Sequence, residues 1–233
     1  MKGKKILAGI AVASLVMCGG IGMAACCDDS TLVATADDFV EAIANAEDGE
    51  VIKLTADIDL DEQLNIEKKI TIDLNGKSIT NTQDIWDDTE VGGKKWSLMS
   101  VVDGGELTIS GNGTMTAKEN DCYIADVRGG KLIVENGTFV GNVSAIYVYD
   151  GELEIKGGKF DIQQLSSYSD YRYTINCYDE AYNSGEAKVT ITGGQFVEGF
   201  NPNNNLAEGP NTDFVPEGYE TELVGTYYTV TKA

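Results

Sequence analysis

The chain is 233 residues long and strongly acidic, with 38 Asp and Glu against 17 Lys and Arg, no histidine, and a formal net charge of −21. That balance argues against DNA, RNA and anionic membrane surfaces as partners, because binding phosphate needs clustered Lys and Arg. The lack of histidine removes most zinc sites and every nucleophilic triad built on an imidazole.

Residues 1–25 predict an export signal rather than folded structure. Lys2, Lys4 and Lys5 make a basic start, Ile6 to Met17 is an apolar run, and small residues follow as far as Ala25. Such a run is too short to span a bilayer stably and fits a cleaved signal. Met23-Ala24-Ala25-Cys26 resembles a bacterial lipobox, apart from Met23 where leucine is usual, so Cys26 is the expected lipidation site. Ordinary cleavage near Ala24-Ala25 is the alternative. The protein is therefore expected to be exported, either lipid-anchored to the bacterial cell envelope or secreted, with the lipid as its only tie to a membrane. Residues 26–34 then read as a tether and 35–233 as one folded domain.

Along that domain, Thr35 to Asp48 places Phe39, Ala42, Ile43 and Ala46 at helical spacing behind a Thr35/Asp38 capping box. A helix there would cover the first strand edges. Val51 to Leu54 and Asp57 to Ile66 supply the first strands. Five segments then read alike: KKITIDLNGKSIT from Lys68, GGELTISGNGTMT from Gly104, GGKLIVENGTFVG from Gly129, DGELEIKGGKFDI from Asp150 and EAKVTITGGQFVE from Glu186. Each is an alternating strand, a glycine turn and a second short strand. Their turn glycines, Gly76, Gly113, Gly137, Gly158 and Gly194, are spaced by 37, 24, 21 and 36 residues, so the long spacings are the short unit carrying an insertion.

Stacking these units explains the residue choices. Leu107, Leu132, Leu153 and Val189 share one repeat position, Ile109, Val134, Ile155 and Ile191 another, and Met115, Phe139, Phe160 and Phe196 a third beyond the turn. A β-sandwich also predicts many short strands, but not register-matched repeats. Asn-Gly at Asn112 and Asn136 reads as turns that need positive φ, not as glycosylation sites. Asn201 to Pro216 is loop-like, and residues 217–231 alternate as a closing strand pair. Cys122 and Cys177 lie about two units apart, roughly 10 Å along a stack, beyond the ~7 Å that a disulfide tolerates. Both are expected to be unbridged.

DGEVIKLTADIDL from Asp48, ITIDLNGKSIT, the repeated GG-x-L-x-I and NGTF or GGKF turns, and VPEGYETELVGTYYTVTK from Val215 resemble the pectate-lyase-like right-handed β-helix domains of bacterial surface proteins. The resemblance implies an all-β, single-stranded right-handed parallel β-helix (a solenoid), here with a short N-terminal capping helix over 35–48. Its motifs speak for architecture and hardly for activity.

The two insertions carry the candidate site. After Ile79 the chain holds Trp86 and Trp96 with Asp84, Asp87 and Asp88; after Ile162 it holds Tyr168, Tyr171 and Tyr173 with Asp170 and Arg172. Both leave the repeat after the same strand, so both project from one edge. Aromatic faces flanked by carboxylates and an arginine are what sugar rings stack on and hydrogen-bond to. The expected ligand-binding residues are Trp86, Trp96, Asp87, Tyr168, Asp170, Tyr171, Arg172 and Tyr173, in a non-catalytic, adhesin-like module that binds an extracellular glycan or another surface ligand. Rings packed down as lids over their own loops are the plainer reading. One alternative is a polysaccharide lyase or glycoside hydrolase acting on acidic polysaccharide, for which Asp126 and Arg128 are the pair to examine. Another is a structural surface spacer. No cofactor is expected, with calcium on Asp84, Asp87 and Asp88 as an option.

Overall fold

The computed structural model describes residues 29–89, 94–165, 167, 172–204 and 212–233. The export signal, Cys26, Tyr168, Asp170 and Tyr171 lie outside them. Short alternating runs, cut by turns at Gly, Asn and Asp, make strands of two to six residues. The chain opens with β1 (Thr31–Val33) and α1 (Ala36–Asn45), then β2 (Glu50–Leu54), β3 (Ile58–Asp59) and β4 (Leu64–Ile66). The three-strand unit returns as β5 (Lys69–Asp73), β6 (Ser78–Thr80) and β7 (Ser97–Val102), then as β8 (Glu106–Ser110), β9 (Thr114–Thr116) and β10 (Tyr123–Arg128). It comes again as β11 (Gly130–Val134), β12 (Thr138–Gly141) and β13 (Ile146–Val148), and as β14 (Gly151–Ile155), β15 (Lys159–Ile162) and β16 (Ile175–Cys177). After α2 (Asp179–Ser184) follow β17 (Ala187–Ile191), β18 (Gly194–Val197), β19 (Tyr219–Val224) and β20 (Tyr227–Lys232).

Successive strands fall into three different sheets. One has seven strands, in the order β1-β2-β5-β8-β11-β14-β17. A second has eight, β3-β6-β9-β12-β15-β18-β20-β19, and a third has five, β4-β7-β10-β13-β16. Pairing is parallel except where β20 runs antiparallel to β18 and β19. The described residues are thus mostly β, with parallel sheets and little helix.

Register follows the repeat alignment. In the seven-stranded sheet, Leu107, Leu132, Leu153 and Val189 pair in one row and Ile109, Val134, Ile155 and Ile191 in the next. In the eight-stranded sheet, Ile58, Ile79, Met115, Phe139, Phe160 and Phe196 pair in sequence. Their phenyl rings stack at 5.0 Å between centroids, one strand spacing. Inward residues of all three sheets join a single hydrophobic cluster. No helix among the described residues is long and apolar enough to cross a membrane.

Four local details differ from the sequence expectation. Thr31–Val33, assigned to the tether, is a strand that pairs with β2. The first helix stops at Asn45 rather than Asp48, because Asp48 turns its carboxylate to the Lys69 N–H (2.9 Å) ahead of a positive-φ turn at Gly49. Its cap is as expected, with Thr35 Oγ1 accepting from Asp38 N at 3.1 Å. The six-residue α2 was not anticipated, since Tyr178 at its N-cap offers no side-chain cap. Gly137 has the positive φ (+124°) expected of its turn, but Gly113 does not. A Cβ there would come within 2.5 Å of Leu74 Cβ and of Lys77 O, so close approach demands that glycine. Cys122 and Cys177 are both free and buried.

Candidate functional site

The five-stranded sheet has an unusual outer face. One rung of that face runs Asn65, Ser100, Asp126, Tyr147, Asn176 across β4, β7, β10, β13 and β16. Ser100 and Asp126 within it are buried, Tyr147 and Asn176 half-buried and Asn65 exposed, so the face is covered over β7 and β10 rather than open to water there. The cover is the first insertion together with tyrosines from the strands beneath.

Asp121 fastens the insertion. Its buried carboxylate accepts from Asn81 Nδ2 (2.7 Å), Ile85 N (2.9 Å) and Trp86 N (2.9 Å). Asp87 and Lys95 then exchange backbone hydrogen bonds at 2.9 and 2.8 Å, closing a small loop that carries Trp86 and Trp96 on its two arms. The indoles stack at 6.4 Å and 22°. Trp86 meets Tyr123 edge to face at 5.5 Å, while Trp96 meets Tyr147 at 5.7 Å and Tyr149 at 6.1 Å. Tyr149 stacks in turn on Tyr178 at 5.1 Å and 8°. Six rings therefore form one continuous cluster across β10, β13 and the end of β16. Trp86 keeps 42% of its surface exposed, and Trp96 is half-buried.

An ion pair between buried Asp126 and partly exposed Arg128 supports the cluster from below. Arg128 lies with its guanidinium carbon 4.2 Å from the Trp96 ring centre, its Nε 2.6 Å from Asp126 Oδ2, and its Nη2 donating to Lys94 O at 2.7 Å. Lys94 places its ammonium 5.1 Å from the Trp96 ring and 5.3 Å from Tyr149. Asp126 also accepts from Ser97 Oγ, from Ser100 Oγ at 2.9 Å and from Gln63 Nε2 at 3.4 Å. Burial pushes its carboxyl above the ordinary value, against the pull of Ser97, Arg128 and Ser100. Tyr123 is pushed up to about 12 by burial and by the charges of Asp126 and Asp88. Its hydroxyl therefore stays neutral near pH 7.

The three acids proposed for calcium are engaged separately. Asp84 pairs with Lys118 and Asp88 accepts from Trp96 Nε1 at 3.1 Å. Asp87 accepts from Thr89 N at 2.9 Å, and its hydrogen bonds with Thr89 lower its pKa. No group of three potential metal ligands occurs among the described residues.

Trp86, Trp96 and Asp87 thus sit together on the first insertion. Of the second insertion, Arg172 packs on Gly199, where an added Cβ would stand 2.9 Å from Arg172 Cδ, and Tyr173 is half-buried. Tyr168, Asp170 and Tyr171 lie outside the described residues. The rings around the tryptophan pair come instead from the sheet: Tyr123, Tyr147, Tyr149 and Tyr178, which the sequence reading missed. The signal was present in IYVYD and INCYD, where Tyr149 and Tyr178 follow the paired residues Val148 and Cys177 by one position each. Set against protein-family models, curated proteins and the solved structures, the chain finds no match.

Proposed function

We propose that the protein is an exported, adhesin-like module that binds carbohydrate through this ring-covered face. The chain is read as a right-handed parallel β-helix of the pectate-lyase-like kind, lipid-anchored at Cys26. The turn-by-turn passage of β2 to β18 through three sheets, with parallel pairing and matched registers, supports a helical winding. Crossovers between parallel strands are right-handed in about 98% of cases, which supports that hand. The observation that carries the function is the six-ring cluster, with Trp86 at 42% exposure and the cations of Lys94 and Arg128 beside Trp96 and Tyr149. Pyranose rings present apolar C–H faces to such surfaces and hydrogen-bond at their edges. A bare spacer has no use for a half-exposed indole on a loop whose backbone a buried carboxylate holds. A lyase reading would rest on Asp126 and Arg128, but Asp126 has no exposed surface and is ion-paired to Arg128.

A glycan array and a polysaccharide depolymerisation screen on residues 28–233 test this reading. Binding without cleavage, weakened about tenfold or more (1.4 kcal/mol) by Trp86→Ala, is the expected result. Cleavage of any polysaccharide, or binding indifferent to Trp86→Ala, overturns it.

A further inference from the structure

Where the first insertion meets β10, Asp84, Trp86, Asn120, Asp121 and Tyr123 line an open groove of about 410 Å³. That volume falls within the roughly 300–1,000 Å³ of small-ligand clefts. Trp86 and Tyr123 stand at 81° to each other with 5.5 Å between ring centres, so the groove has an aromatic corner. Two carboxylates share the lining, and they differ in what they can still accept. Asp121 is buried and holds Asn81, Ile85 and Trp86 of the insertion. Asp84 keeps 74% of its side chain exposed and is paired with Lys118 through Oδ1. A carboxylate has about four acceptor positions, so Asp84 retains room for a donor from a ligand.

Rings and acids together select a positive charge, since aromatic faces attract cations. Both charged side chains of the lining are acidic, in a chain of net charge −21. Burial, and after it the charges of Asp126 and Asp88, push the Tyr123 hydroxyl up to about 12, so its ring lies in a negative field. The cations of the cluster, Lys94 and Arg128, stand over Trp96 and Tyr149, outside that lining. A quaternary ammonium donates no hydrogen bond and is held by cages of rings. A primary ammonium brings three donors, and Lys118 already shows Asp84 accepting from one. Two rings, one reachable carboxylate and the exposed Asn120 suit the primary ammonium. We propose that the groove is a subsite for an amino sugar with a free, protonated amine, its ring against Trp86 and its ammonium on Asp84. The assignment rests on the carbohydrate reading above and adds the class of sugar and the residue that selects it.

Calorimetric titration of the mature chain at pH 6 and 0.05 M NaCl tests it, with glucosamine tetramer (all amines free), N-acetylglucosamine tetramer and cellotetraose as ligands and tetralysine as a charge control. The free-amine tetramer should bind at least tenfold more tightly than the other three, an advantage that shrinks in 0.5 M NaCl. Asp84→Asn, at an exposed position whose surface pair with Lys118 contributes little to folding, should erase most of that advantage. Trp86→Ala should weaken the free-amine tetramer at least tenfold. Equal binding of the acetylated or neutral tetramer, equal binding of tetralysine, or an advantage that survives Asp84→Asn would each overturn the subsite. So would failure of the free-amine tetramer to bind. The carbohydrate reading then stands if the glycan array shows another saccharide held through Trp86, and falls with the subsite if no saccharide binds at all.

Discussion

At Asp126 two opposing effects meet. Burial without any exposed surface raises its pKa, while Ser97, Arg128 and Ser100 draw it down, and burial is the larger. The native pKa then stands above the ordinary 3.8, so the folded state holds the proton to higher pH than the unfolded chain does. Stability tied to this group is therefore present at low pH and declines as pH rises through that window. Urea midpoints of the native chain and Asp126→Asn, compared from pH 4 to 8, should show the native chain gaining relative stability on acidification. The opposite slope would mean that the Arg128 pair outweighs burial. Asp126→Ala at pH 7 should cost about 3 kcal/mol, because it leaves the largely buried Arg128 charge without its partner beneath Trp96. None of this could be read from Asp-x-Arg in the sequence. The carboxylate of Asp126 is enclosed instead by Ser97 and Ser100 of the neighbouring strand and by Gln63, all far from it along the chain.

Between elements, charge does what turns alone cannot. Down the outer face of the seven-stranded sheet, Lys69, Glu106, Lys131, Glu152 and Lys188 pair in register with alternating sign. Lys69 reaches Glu106 at 2.8 Å, and Lys131 reaches Glu154 at 2.7 Å and Glu152 at 3.4 Å. The hydrogen bond between Lys131 and Glu154 raises the lysine pKa and lowers that of the acid, so the pair stabilises at neutral pH and weakens as acid protonates Glu154. A parallel sheet with identical apolar rows could slip by whole units, and this column penalises a one-strand slip by setting like charges side by side. Lys131→Glu places three acids in a row and should lower stability by about 1–2 kcal/mol. The loss should shrink in 0.5 M NaCl, because these side chains are partly solvated. Equal destabilisation by Lys131→Ala, or no effect of salt, would show that packing of the lysine stem matters instead. The five repeated segments were legible at this scale because strand period and turn glycines are local. The lengths of α1 and α2 were not, since Asp48 is diverted to Lys69 and α2 lacks a side-chain cap.

For the whole molecule, the management of sheet edges decides solubility. Unpaired parallel strands invite further strands, and the two ends of the chain treat this differently. At the start, α1 packs beside β1 and buries Phe39 and Ile43. At the other end, β20 turns antiparallel on β18, lays Tyr228 opposite Phe196 at the end of the phenyl row, and is covered in turn by β19. Deletion of residues 217–233 should uncover the β18 edge and that phenyl row. The shortened chain should sediment as a larger particle than the intact one at equal concentration. A particle no larger than the intact chain would show that another segment protects the edge.

The sequence by itself determined two strands of each repeated unit, their stacking order and the apolar rows, because alternation, turn glycines and repeat spacing are set by covalent neighbours; β1 and the third strand of each unit emerged only in the structure. It also placed Trp86, Trp96 and Asp87 in one insertion. Only the tertiary structure decided what the insertion rests on. The pairing of β10 with β13 and of β13 with β16 brings Tyr123, Tyr147, Tyr149 and Tyr178 from separate repeats to one face. Asp121 then holds the Trp86 backbone down beside them. Those distances depend on strand stacking through space, which spacing along the chain specifies only after the registers are known.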